Sequence, residues 1–94
     1  MKTIIVACGT GIATSTLVLQ RLKEFLEKKG MSLILKQCTY IEIEGNIDQN
    51  TVAIISSSNI GSRINDVPVL VALPYISGIG IDAFEEKLEH ILNS

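Results

Sequence analysis

Tryptophan is absent from this 94-residue chain, and Phe and Tyr contribute only two residues each. With so few rings the core must be aliphatic, and Ile, Leu and Val supply most of the 47% apolar content, which suits strands buried on both faces. Histidine occurs once, as His90, and the two cysteines, Cys8 and Cys38, stand in no metal-like spacing, so neither zinc nor another metal or cofactor is expected. Positive charge is scarce: 8 Lys and Arg face 10 Asp and Glu, for a net charge of −2, and no basic run could grip a nucleic acid. Long apolar runs are missing too. Thr3 to Ala7 is too short for a secretory core, and the uncharged stretch from Val67 to Ile81 is broken by Pro68, Pro74, Gly78 and Gly80, short of the roughly 20 residues of a membrane span. One cytoplasmic domain over residues 1–94, monomeric and not membrane-spanning, is the expectation.

What is present alternates between two textures. Thr3 to Ala7 reads as a buried strand that stops at a glycine-rich turn. From Thr14 the apolar positions Val18, Leu22, Phe25 and Leu26 follow one helix face, with Lys28 and Lys29 at the end that favours positive charge and Gly30 as a left-handed cap. Ser32 to Cys38 reads as a second strand, wetter and therefore at a sheet edge. Thr39 and Glu42 have the spacing of a capping box, which predicts a short helix over Tyr40 to Glu44. Thr51 to Ile55 and Val69 to Ala72 read as the third and fourth strands. Asp82 and Glu85 repeat the capping-box spacing before a closing helix whose face is Ile81, Phe84, Leu88, Ile91 and Leu92. This alternation predicts an α/β fold: a four-stranded parallel sheet, Rossmann-like and three-layered, with helices on both faces. Ligands of such sheets bind beyond the carboxyl ends of the strands, here the loops Cys8 to Ala13, Thr39 onward, Ser56 to Gly61 and Leu73 to Gly80.

The first of these loops carries the chemistry. Cys8, Gly9, Thr10, Gly11, Ile12, Ala13, Thr14 and Ser15 run from a strand end into a helix. Two glycines let the backbone turn its N–H groups inward, the helix N-terminus adds unpaired donors and partial positive charge, and three hydroxyls can assist, which together make an anion cradle. The same field lowers the pKa of a thiol from its free value of about 8.5, so Cys8 is the expected nucleophile. A cysteine inside a phosphate cradle can become phosphocysteine. A tight turn around an ordinary strand-end cysteine fits the same local pattern.

Three segments carry a resemblance. Ile4-Ile5-Val6-Ala7-Cys8-Gly9 at the start, Ala13-Thr14-Ser15-Thr16 opening the helix, and Pro74-Tyr75-Ile76-Ser77-Gly78-Ile79-Gly80-Ile81 near the end are similar to the galactitol-type enzyme IIB components of the bacterial phosphoenolpyruvate-dependent sugar phosphotransferase system. The resemblance covers the whole chain. It implies a phosphoryl carrier: a IIA phosphohistidine would donate to Cys8, and Cys8 would pass the group to a sugar alcohol bound by a membrane-embedded IIC component. The loop sequence Cys8-Gly9-Thr10-Gly11 sets Thr10 and Ile12 apart as positions particular to this chain.

Two rivals remain. A low-molecular-weight phosphatase also holds a cysteine in such a loop, but it needs an arginine six residues later, where this chain has Thr14, and an aspartic general acid. A non-catalytic anion-binding module would keep the glycines without requiring Cys8. Other residues are weaker candidates. Cys38 could approach Cys8 if the first two strands are neighbours, opening a disulfide, although a small buried hydrophobe is the commoner role. Ser56, Ser57, Ser58 and Asn59 could touch a phosphoryl group or form a turn. His90 reads as a surface or packing residue, Arg63 receives no role, and Asp48, Asp66 and Asp82 are too dispersed for a magnesium site.

Overall fold

In the computed structural model, which describes residues 2–8, 12–57 and 59–93, the first strand β1 (Thr3–Cys8) has no wet face. Ile4 and Val6 enter one hydrophobic cluster and Ile5 and Ala7 another, all four essentially without solvent exposure. Alternate residues of a strand point to opposite faces, so a continuous apolar run belongs in the middle of a covered sheet. β1 accordingly lies between β2 (Ile34–Thr39) and β3 (Thr51–Ser56), parallel to both. The full order is β2-β1-β3-β5-β4, with β4 (Arg63–Ile64) and β5 (Val67–Val71) completing the sheet. β2 is the expected edge strand.

The expected four-stranded parallel sheet is corrected by β4, which runs antiparallel to β5 and makes the sheet five-stranded and mixed. Ile64 pairs with Val67 across a two-residue turn in which Asn65 and Asp66 both adopt positive φ, 48° and 68°. Two consecutive left-handed residues make the turn whose twist suits a hairpin, and Asn and Asp tolerate that conformation better than other non-glycine residues. Arg63 Nη1 donates to the Asp66 carbonyl at 2.9 Å and closes the turn.

The two faces are covered unequally. α1 (Ile12–Lys28) lays Val18, Leu22, Phe25 and Leu26 over Ile4, Val6, Ala53 and Ile55, together with Phe84, Leu88 and Leu92 of α4 (Ile81–Leu92). Among the described residues the helical cover of the opposite face is a turn of 3-10 helix, Tyr40–Glu42, and α2 (Ile43–Asn46), whose Ile43 is buried against Ile5, Ala7, Ile54, Val67 and Val69. The short helix expected over Tyr40 to Glu44 is thus split into two kinds of turn, and its capping box is present: Glu42 accepts from the Thr39 backbone and hydroxyl, each at 3.0 Å.

Two other expectations change at the end of β5. The segment read as a loop contains α3 (Leu73–Ser77), with Pro74 in its first turn, where its missing N–H costs nothing, and Gly78 ending it at φ 80°. The Asp82–Glu85 capping box does not form. Gly80 is the N-cap of α4, and Glu85 instead accepts from the Tyr75 hydroxyl at 2.8 Å, while the Tyr75 ring meets Phe84 edge to face at 4.8 Å. α3 also packs against α1. Burial and the Glu85 carboxylate push the Tyr75 phenol far above its ordinary pKa, consistent with its role as the donor of this bond.

Leu22 is the side chain through which α1 presses on β1, and it has no solvent exposure. Leu22→Ala is expected to lower the unfolding free energy by about 2–5 kcal/mol in urea titration; an unchanged midpoint would contradict this packing.

Candidate functional site

The carboxyl ends of the parallel strands meet at one edge of the sheet, and Cys8 is the last residue of β1, an interior strand. Its Cα pairs with that of Thr39 on the β2 side. On the β3 side Ala7 pairs with Ser56, and the Ser57 N–H donates to the Ala7 carbonyl at 3.1 Å. Cys8 is therefore placed between the exits of two neighbouring strands.

α1 begins four positions later. Its first turn consists of Ile12, Ala13, Thr14 and Ser15, so the backbone of half the expected cradle is helical and opens at the Cys8 edge. Gly9, Thr10 and Gly11, also expected in the cradle, lie outside the described residues. The first N–H groups of a helix lack partners within it and carry the positive end of its dipole. No acidic residue stands in the first turn of α1, while Lys28 occupies the last, so the chain places no carboxylate of that turn against the positive end.

The serine cluster divides. Ser56 is wholly buried in β3, and Asn59 accepts from the Gly61 N–H at 3.1 Å, a local turn contact; Ser58 is outside the described residues. Ser57 is different: its hydroxyl meets the Tyr40 hydroxyl at 2.8 Å. Tyr40 was not singled out by the sequence pattern, which marks it only as a residue inside a capping box. Glu42, held charged by its hydrogen bonds to Thr39, has its pKa lowered and adds negative charge at the β2 exit.

Exposed apolar side chains also stand around this edge. Of the five exposed large hydrophobic side chains among the described residues, four lie here: Ile41 beyond β2, 94% exposed, and Leu73, Ile76 and Ile79 beyond β5, the last 79% exposed. Apolar side chains gathered at one end of a small protein mark a surface that meets another molecule.

The remaining candidates stand elsewhere. Cys38 is the register partner of Ala7, half-buried against the Ile5, Ala7 and Ile43 cluster, and is a free thiol. His90 is exposed in the last turn of α4, Arg63 closes the hairpin, and Asp48 ties down the loop before β3 through Asn50, Thr51 and a 3.4 Å ion pair with Lys36. Asp66 lies in the hairpin turn and Asp82 in the first turn of α4. Among the described residues no group of three His, Cys, Asp or Glu could hold a metal ion, and no helix is long and apolar enough to cross a membrane.

Burial, and secondarily the charge of Glu42, push the Cys38 thiol above its ordinary pKa. A raised pKa means less thiolate at a given pH. The pH profile of Cys38 alkylation, read on its own peptide by mass spectrometry, should accordingly lie higher in the native protein than in the urea-unfolded chain; coincident profiles would contradict the burial.

Residues 3–93 match the family described as PTS system, Lactose/Cellobiose specific IIB subunit. A protein of Escherichia coli (strain K12) named PTS system galactitol-specific EIIB component is 36% identical over 91 residues, covering 97% of this chain and 96% of that protein. The protein of the same name from Shigella flexneri is 34% identical with the same coverage. A putative phosphotransferase enzyme IIB component of Escherichia coli (strain K12) is 36% identical over 92 residues, covering 98% of each chain. With one family spanning both strand-helix ends and relatives aligned over nearly the whole length, the chain belongs to the IIB components of the sugar phosphotransferase system.

Proposed function

We propose that Cys8 is the phosphoryl carrier of this IIB component, accepting the group from a phosphohistidine of a IIA protein and delivering it to a sugar alcohol held by a membrane IIC component. The supporting observation is the junction itself: Cys8 ends the buried interior strand β1 and the N-terminus of α1, without an acidic residue in its first turn, begins at the same edge. A thiolate beside a helix N-terminus is stabilised, and so is the dianion that replaces it.

In the first transfer the Cys8 thiolate attacks phosphorus in line with the P–N bond of the donor. The S–P bond forms as the P–N bond breaks, and the imidazole, protonated on its other ring nitrogen, leaves with the electron pair as the neutral ring. In the second, a hydroxyl oxygen of the sugar alcohol attacks the same phosphorus, the S–P bond breaks, the thiolate is regenerated, and the hydroxyl proton passes to a base on the acceptor side. Gly9, Thr10, Gly11, Ile12, Ala13, Thr14 and Ser15 bind the phosphoryl oxygens through N–H groups, with the hydroxyls of Thr10, Thr14 and Ser15 assisting. Neither step requires a metal ion or cofactor from this chain.

A carrier must hold the phosphocysteine without hydrolysing it. Position 14 is a threonine where a phosphatase loop would have its arginine, Arg63 is committed to the β4–β5 turn, and Arg21 lies on the exposed side of α1. The exposed Ile41, Leu73, Ile76 and Ile79 support protein partners at both steps. Galactitol, the sugar alcohol in the names of the relatives, is the acceptor we assign, at a cytoplasmic surface of the membrane component.

Cys8→Ser should abolish phosphoryl acceptance from a phosphorylated IIA protein in a labelled-phosphate assay, and retained transfer would overturn the proposal. Ile79→Asp, at a side chain too exposed to support the core, should raise the half-saturating donor concentration about tenfold while leaving the urea midpoint unchanged. Unchanged saturation would remove this part of the edge from the docking surface.

A further inference from the structure

β2 and β3 do not touch. Each is a neighbour of β1, so they stand two strand spacings apart, about 10 Å. Yet the hydroxyls of Tyr40, one residue past β2, and Ser57, one residue past β3, are 2.8 Å apart. A bond between these two groups has to cross β1. The crossing falls at the end of that strand, because Tyr40 follows Thr39, the register partner of Cys8, and the Ser57 N–H donates to the carbonyl of Ala7. The Tyr40 ring packs on the cluster formed by Ile5, Ala7 and Ile43, which puts the crossing on the α2 side of the sheet.

Packing alone asks for neither hydroxyl. A phenylalanine ring would cover Ala7 equally well, and half-burying two hydroxyls carries a desolvation cost that their mutual bond offsets. What the bond adds is geometric. Ser57 is tied through its N–H to Ala7 of β1 and through its Oγ to the exit of β2, so the end of β1 is spanned at Ala7 by a strap anchored on both neighbouring strands.

We infer that Tyr40 and Ser57 are positioning residues for phosphoryl transfer, their hydroxyl bond fixing the Ala7–Cys8 backbone and with it the point where the thiolate meets phosphorus. This role rests on the reading of Cys8 as the carrier. In-line displacement depends steeply on the placement of the attacking atom, whereas docking of the donor depends on the exposed surface around it. Loss of the strap therefore slows transfer within the bound complex and leaves binding of the donor protein alone.

The test uses the full chain and a phosphorylated IIA donor, with single-turnover transfer followed across donor concentrations. Tyr40→Phe and Ser57→Ala each delete one hydroxyl, and each should lower the saturating rate about tenfold with an unchanged half-saturating concentration. The double variant should be no slower than either single one, since all three lack the same bond. Ser57→Thr, which keeps the hydroxyl, should transfer at close to the wild-type rate. Urea midpoints measured in parallel identify any variant whose loss comes from unfolding, and a Tyr40→Phe protein that is fully folded but slow supports positioning. Full-rate transfer by both single variants, or multiplied losses in the double variant, overturns the strap alone. A wild-type chain that accepts no phosphoryl group overturns the carrier reading itself and this role with it.

Discussion

β1 is held from four directions, and the geometry of the carboxyl edge depends on that enclosure. Parallel ladders to β2 and β3 fix it laterally. Above, Ile4 and Val6 lie under α1 and α4; below, Ile5 and Ala7 lie on the α2 side. A strand so confined cannot slip by one residue without moving its apolar side chains to the wrong faces. Its last residue, Cys8, is consequently held at a defined height, and α1 starts only four positions beyond it. The short connection forces the helix N-terminus to face the strand end, so the proposed nucleophile and the proposed anion-binding helix end come together as a consequence of topology.

The disposition of charge around that junction suits a group that must be received and given up. The first turn of α1 has no carboxylate. Nearby acidic groups are engaged locally: Glu42 holds the Thr39 turn and Glu85 holds Tyr75. Arginine, which would stabilise the transition state of hydrolysis, is tied to a hairpin at Arg63 and faces solvent at Arg21. On the proposed reading of Cys8, an electropositive helix end without a fixed guanidinium would stabilise phosphocysteine more than its attack by water, and that balance would separate a carrier from a phosphatase. In the proposed transfer, the exposed Ile41, Leu73, Ile76 and Ile79 are the side chains that partner proteins would cover, excluding water from the site.

Contiguous signals were legible in the amino-acid sequence. The unbroken apolar run of β1, the 3.6-residue spacing of Val18, Leu22, Phe25 and Leu26, and the Thr39–Glu42 capping box are local patterns with local causes, and each appears where expected. The β4–β5 hairpin was hidden because Asn65-Asp66 reaches its left-handed turn without a glycine, and β4 is only two residues long. α3 is too short to show a period, and Pro74 reads as a breaker unless its place in the first turn is known. Asp82 and Glu85 have the right spacing for a cap, but Tyr75, ten residues from Glu85 in sequence, claims the carboxylate. The Tyr40–Ser57 bond depends on strand order, and no single-sequence pattern could reveal it.

The central claim is that the phosphoryl group resides on Cys8, and the chain's own sequence makes this directly measurable. Trypsin releases residues 3–21, whose one cysteine is Cys8 and which contains no histidine, apart from residues 88–94, which carry His90. After incubation with a phosphorylated IIA donor, mass spectrometry at neutral pH should find the added phosphoryl mass on 3–21, removed by iodine as an S–P bond is. The same mass on 88–94, or on 3–21 but resistant to iodine, would contradict it.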